Sequence, residues 1–386
     1  MSPAPRLHRR RSLLVAVAVA LVAAACGETT PRTQGAGVKP TSVTSGDSGV
    51  RSTVENGAVA AVDTPPPIPP ESVSRARADS DSAARARGDT SRASRVALDT
   101  SAATTRRCTV LSVRDSTRAA RLVSDSLLPG SLLPSHRIVA YYGNPFSKRM
   151  GILGEIPPDE MLQRLAATAA MYQKADTSRT VLPALELIAI VAQGSPGPSG
   201  LYRLRMPDTL IDRVASWAAA KNYLLILDIQ PGKSTVAAEM QSLLPYLARP
   251  NVELALDPEF AMRASGRVPG TKIGTMDASE INGAIRTLAQ LVDQYHLPPK
   301  ILIVHRFTGP MVTNADKIRP DPRVQVVMDM DGFGPQWLKK DSYRSYIKAS
   351  PVQFTGFKLF YKNDKPLLTP EQVVDLCPHP LFVMYQ

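Results

Sequence analysis

Carboxylates close apolar runs at three separated points of this chain. Residues 252–260, VELALDPEF, run apolar until Asp257 and Glu259, on either side of Pro258. The run 223–229 carries Asp228 just before Gln230-Pro231-Gly232, and the run 324–329 ends on Asp329, with Asp331-Gly332-Phe333-Gly334 behind it. His305, one of 5 histidines, closes the run 300–305. An apolar strand gains nothing from ending in an acid. Such acids can cap the next helix or fix a turn, and Asp277, heading Asp277-Ala278-Ser279-Glu280, reads as a capping box of that kind. For Asp257, Glu259, Asp228 and Asp329 taken together, chemistry is the stronger reading, with His305 as orienter or proton carrier.

Two chemistries suit such a set. Glycoside hydrolysis needs two facing carboxyl groups, one kept protonated as acid and one ionised as nucleophile or base. Tyr142, Phe307, Phe333, Trp337 and Tyr361 stand near run ends, where aromatic faces can stack on sugar rings. Asn144, Gln230, Asp331 and Lys358 add polar groups for a substrate. Metal-assisted phosphodiester hydrolysis would use the same acids as oxygen ligands, with His305 as acid or base. It ranks second, because no second histidine stands ready to protonate a leaving group. No cofactor is expected and no metal site is assigned, a divalent cation belonging only to this alternative.

These residues need elements to position them. Eight apolar runs, 138–143, 184–192, 223–229, 252–257, 300–305, 324–329, 354–360 and 381–385, alternate with amphipathic segments. Pro157-Pro158-Asp159, Pro207-Asp208, Ser234, Asp277, Pro335 and Pro370 open the helices between them, and Pro298 and Pro299 end the longest. Parallel strands joined by helices give an α/β fold. Eight such strands in one domain favour a closed (β/α)8 TIM-type barrel over an open doubly wound sheet, whose active face is the C-terminal rim of the strands. Continuous apolar runs fit strands covered on both faces. With the eighth strand at the end of the sequence, residues 115–128 are the candidate for the missing helix. Glu186 lies within the second run and could point either way.

Pro231-Gly232-Lys233-Ser234-Thr235 imitates the end of a phosphate-binding loop, but Leu227 stands where that loop needs its first glycine. Nucleotide binding is set aside, leaving an anion at this helix start as a weaker option.

The chain has 386 residues and a formal charge of +12, unevenly spread. Residues 1–26 carry 4 Arg and residues 27–107 carry 11 basic against 9 acidic residues, leaving 12 − 4 − 2 = +6 for the remainder. With no Lys/Arg block there, nucleic acid is not an expected partner. Residues 1–26 read as a lipoprotein signal peptide: Arg6, Arg9, Arg10 and Arg11 precede an uncharged run that ends in Leu21-Val22-Ala23-Ala24-Ala25-Cys26, a lipobox-like stretch with Cys26 as the lipidation site. Residues 27–107 are rich in Pro, Ser, Ala and Arg, with too little apolar surface to offset ordering, and read as a disordered tether. Residues 108–386 form the barrel domain. Cys108 and Cys377 could pair across it in an oxidising compartment. The expected location is extracytoplasmic, lipid-anchored to a bacterial membrane, as a monomer.

Ala140-Tyr141-Tyr142-Gly143, residues 151–155, Leu227-Asp228-Ile229-Gln230-Pro231-Gly232, Leu256-Asp257-Pro258-Glu259, Asp331-Gly332-Phe333-Gly334 and residues 356–361 together resemble a family of uncharacterised bacterial lipoproteins with a glycoside-hydrolase-like barrel. The resemblance spans most of residues 137–386 and implies fold and location, with no established mechanism to transfer. Fold alone is poor evidence of activity. The sequence thus points to a hydrolase of cell-envelope carbohydrate; the rivals are a divalent-metal phosphodiesterase and a non-catalytic ligand-binding lipoprotein.

Overall fold

A computed structural model of the chain describes residues 127–386. The eight apolar runs form eight strands: β1 (His136–Gly143), β2 (Thr180–Ala192), β3 (Leu224–Ile229), β4 (Val252–Leu256), β5 (Lys300–Arg306), β6 (Val324–Met330), β7 (Phe354–Leu359) and β8 (Phe382–Tyr385). All pair in parallel in chain order, and β1 pairs with both β2 and β8, so the sheet closes on itself. This is the expected (β/α)8 TIM-type barrel, and closure leaves no exposed edge. An added strand, Arg203–Arg205, returns antiparallel along the upper end of β2. At that level β2 slips register between Ile188 and Ile190, as a bulge does near a barrel rim.

Helices α1 (Pro158–Ala175), α2 (Asp208–Ala220), α3 (Val236–Leu247), α4 (Ala278–Tyr295), α5 (Gln336–Ser342) and α6 (Pro370–Val374) lie between successive strands. The periodic apolar positions of α1 (Met161, Leu165, Tyr172) and α4 (Ile281, Leu288, Val292) are the buried ones, as an amphipathic helix on a sheet requires. α5 continues into a wider turn over Tyr343–Lys348.

Two expectations change in detail, and a third falls mostly outside the described residues. Asp277 caps α4 by accepting from the Ser279 N–H, without the reciprocal Glu280 bond of a capping box. Its other oxygen instead takes Thr313 at 2.8 Å and Asn314 at 2.6 Å, tying two short parallel strands, Met276–Asp277 and Val312–Thr313. The start of α3 is filled by the chain's own groups: Thr235 accepts from Ala238 and Ser234 donates to Glu239. Of the segment expected to replace an eighth helix, only Leu127 and Leu128 are described, and they are not helical. The signal, Cys26, the tether and Cys108 lie outside the described residues.

The base of the barrel, where the strands begin, is closed by the chain leading into β1. Gln325 accepts from the N–H groups of Leu132 and Leu133 and donates to the Leu133 carbonyl. The Lys300 ammonium donates to the Arg249 and Val252 carbonyls, and Glu253 accepts from the Ile301 N–H at 2.6 Å.

Candidate active site

Side chains alternate inward and outward along a barrel strand, so register decides who meets whom. Tyr142 pairs with Glu186, Ile188 with Asp228, His305 with Asp329, and Asp329 with Gly356. With the positions two residues further on, Gln230, Asp331 and Lys358, these form one inward-facing set at the strand ends. Tyr141 and Tyr385, one residue out of phase, face the helix layer: Tyr141 bonds Thr168 of α1 at 2.8 Å and Tyr385 bonds Tyr172 at 3.0 Å.

The inward set forms two levels. Glu186, Asp228, His305 and Asp329, each 0% exposed, make the floor. His305 sits between two acids there, Nε2 at 3.0 Å from Glu186 Oε1 and Nδ1 at 3.1 Å from Asp329 Oδ2. Burial alone would lower the imidazole pKa, but the hydrogen bonds to Asp329 and Glu186 and the charge of Asp331 hold it well above its ordinary value. With a carboxylate oxygen at each ring nitrogen, the arrangement favours the protonated ring. Asp228 accepts from the Tyr142 hydroxyl at 3.2 Å. Burial, with Asp257 and Glu186 nearby, pushes its pKa well up against the opposing charge of His305. Burial likewise lifts Asp329 to about 6. Gly356 makes room for it, since a Cβ there would lie 2.5 Å from Asp329 Oδ1.

Above the floor lie Asp257, Gln230, Asp331, Lys358 and the half-buried Glu259. Asp257, 2% exposed, accepts from the Glu259 N–H at 3.1 Å and lies 3.4 Å from the Gln230 amide nitrogen. Burial raises its pKa to about 6. Glu259 is raised well above its usual value by burial and then by the charges of Asp257 and Asp331. Lys358 pairs with Asp331 at 3.0 Å and lies 4.0 Å above the Tyr142 ring. Its ammonium keeps a raised pKa because Asp331 and Asp257 outweigh its burial. In sum, six carboxyl groups (Glu186, Asp228, Asp257, Glu259, Asp329, Asp331) face two cations, His305 and Lys358. An excess of buried carboxyls keeps some of them protonated near neutral pH, the condition for one acid to donate while another stays ionised.

The expected residues thus divide. Asp228, Asp257, Glu259, His305, Asp329, Tyr142, Gln230, Asp331 and Lys358 come together at the mouth. Phe333 packs edge-on against Phe360 at 5.7 Å, and four more are placed elsewhere. Asn144 is buried and used structurally, donating to the Ile188 carbonyl and accepting from the Phe146 N–H. Tyr361 bonds Tyr141 at 3.0 Å and stacks on Tyr385 in the helix layer. Phe307 is buried against Gly332 and Met311. Trp337, on α5, is 70% exposed.

Glu186, whose direction was open, points into the barrel; as the one charge inside the 13-residue strand β2, it carried a signal. Lys339 carried none, since beside Lys340 in an amphipathic segment it reads as a surface lysine. It is buried, donating to the Gly332 and Lys358 carbonyls and pairing with Asp364 at 2.9 Å. Asp364 also accepts from the Gly334 N–H. This pillar holds the segments that carry Asp331 and Lys358.

No family model and no curated sequence matches the chain. Among solved structures it is similar to a mutant Thermotoga maritima Cel5A in complex with cellobiose, at 8% identity and a TM-score of 0.37, over 65% of this chain and 88% of that one. A Clostridioides difficile cellulose synthase subunit Z matches at 8% identity and a TM-score of 0.34, over 65% and 91%. A ruminal GH26 endo-beta-1,4-mannanase matches at 11% identity and 0.32, over 65% and 59%. These likenesses are low, and the (β/α)8 assignment rests on the strand order and closure of the chain itself.

Proposed function

We propose that the protein is a membrane-anchored, extracytoplasmic (β/α)8 hydrolase acting on carbohydrate of the cell envelope. The observation that supports it is the gathering of six carboxyl groups in two levels at the strand ends, with Glu259 the one among them that is only half-buried. Glu259, half-buried with a raised pKa, is the proton donor to the leaving oxygen. Asp331, paired with Lys358 at 3.0 Å, is the facing carboxylate, and Asp257 lies beside the donor to tune it. Glu186, His305 and Asp329 hold this arrangement from below as positioning residues.

The phosphodiesterase alternative is the weaker one. His305 has no exposed surface, and both ring nitrogens are engaged by carboxylates, so it is poorly placed to protonate a leaving group. A non-catalytic ligand-binding role predicts heat stabilisation by a glycan with no product formed.

The location rests on the lipobox-like sequence. No helix among the described residues is long and apolar enough to cross a membrane; the attachment proposed is a lipid on Cys26. A Cys26→Ser chain is expected to leave the membrane fraction.

The activity test is a glycan panel assayed for released reducing ends with wild type, Glu259→Gln and Asp331→Asn. Loss of a positioned acid or base costs about 10²–10⁴ in kcat, so both variants are expected to fall at least a hundredfold in turnover per folded molecule. Wild-type turnover in both would remove these two residues from the mechanism. Heat stabilisation without product in the wild type would replace hydrolysis by binding.

A further inference from the structure

We propose that the floor of the mouth is a divalent-cation site, formed by Glu186, Asp228 and His305 and suited to zinc or manganese. One donor atom from each of these residues lies within 4.8 Å of the others. The three come from separate strands, β2, β3 and β5, so the frame that spaces them is the barrel itself. All three are fully buried.

The second observation is what these side chains leave unused. Glu186 Oε2 and Asp228 Oδ1 are buried with no hydrogen-bond donor. A buried carboxylate oxygen without a donor costs about 1–3 kcal/mol, more when charged, and native interiors rarely tolerate it without a reason such as an ion. Two such oxygens beside one imidazole supply lone pairs that the protein's own donors do not use.

The histidine is also held as a ligand would be. Asp329 accepts from Nδ1 at 3.1 Å, which sets the ring so that Nε2 faces Glu186. A carboxylate behind the distal nitrogen is the usual support of a metal-bound histidine. Gly356 leaves the space that lets Asp329 fill that role. A cation would take the place of the proton between Nε2 and Glu186 Oε1. One imidazole and two carboxylates favour zinc or manganese over calcium or magnesium, which prefer all-oxygen sites. Three protein ligands make an incomplete shell for either metal, and Asp329 or a buried water would complete it.

This site does not depend on the carbohydrate reading, and its readout needs no substrate. The full chain, stripped with a chelator and desalted, is titrated with Mn²⁺ by electron paramagnetic resonance, and Zn²⁺ is then added in competition. The expected result is one saturable site from which Zn²⁺ displaces Mn²⁺. Affinity falls at least tenfold in Glu186→Gln and Asp228→Asn, falls roughly 10- to 100-fold in Asp329→Asn, which acts through His305, and is unchanged in Asp341→Asn on the surface. No saturable binding to the wild type, or equal binding by Glu186→Gln and Asp228→Asn, would overturn the proposal. Should those variants fail to fold by circular dichroism, pulsed resonance of the Mn²⁺-loaded wild type decides: nitrogen coupling from the imidazole supports the site, and its absence overturns it.

Discussion

At the base of the barrel Glu253, Lys300 and Gln325 are bonded to backbone groups, whereas at the mouth Glu186, Asp228, His305 and Asp329 bond to other side chains and leave carboxylate oxygens without donors. Both ends bury polar and charged groups inside the same sheet. The base groups meet fixed backbone partners and lock the entry of the chain into β1. The mouth groups repel one another and are held together by two cations. The difference separates polar residues kept for stability from those kept at a cost to stability, a cost that points to function.

The base is where truncation should cost most. Gln325→Ala strands the N–H groups of Leu132 and Leu133 and the Leu133 carbonyl. The expected loss is about 3 kcal/mol, read as a lower denaturant midpoint, with turnover per folded molecule unchanged. A smaller loss would mean that water replaces the glutamine and that the base is less sealed than its bonding implies.

The mouth should show an inverted pH dependence. Asp257 and Asp329 have ordinary values of 3.8 and folded values of about 6. Between these values the folded state binds more protons than the unfolded state, so stability falls as pH rises. Their contribution is fully present below about pH 4 and lost by about pH 7, on the order of 2 kcal/mol for each group. His305, also raised, adds in the same direction. Opposing this at the acid end, Asp321 is lowered by its hydrogen bonds to Arg323. In a chelating buffer Tm should therefore be higher at pH 5 than at pH 7, and Asp257→Asn should shrink that difference. A flat profile across this window would remove the claim that the mouth is charge-frustrated.

The smallest expected effect sharpens the same contrast. Burial and its acidic neighbours push the Asp228 carboxyl well above its ordinary value, so replacing it by the neutral amide in Asp228→Asn, in chelator, is expected to cost less stability at neutral pH than the Gln325 truncation. An asparagine costing as much as the Gln325 truncation would put Asp228 with the structural residues of the base.

Much of the barrel was legible because each strand is a continuous apolar run and each helix begins with a proline or a capping residue, and both signals are local. The acids Asp228, Asp257 and Asp329 stood out for the same reason, as polar residues at the ends of apolar runs. Facing was not legible. Tyr361 and Trp337 lie close in sequence to strand ends, yet one turns into the helix layer and the other into solvent. Lys339 looked like half of a surface Lys-Lys pair, and only the packing of α5 against β7 makes it a pillar.

The sequence by itself determined the order of elements, the closed parallel class and the acidic character of the strand ends, because apolar runs and caps act over a few residues. Tertiary structure alone decided that Glu186 points inward, that His305 lies between Glu186 and Asp329, and which oxygens find no donor. Those outcomes depend on strand register and on barrel closure, which bring together residues 119 positions apart, such as Glu186 and His305. No local pattern encodes such a meeting.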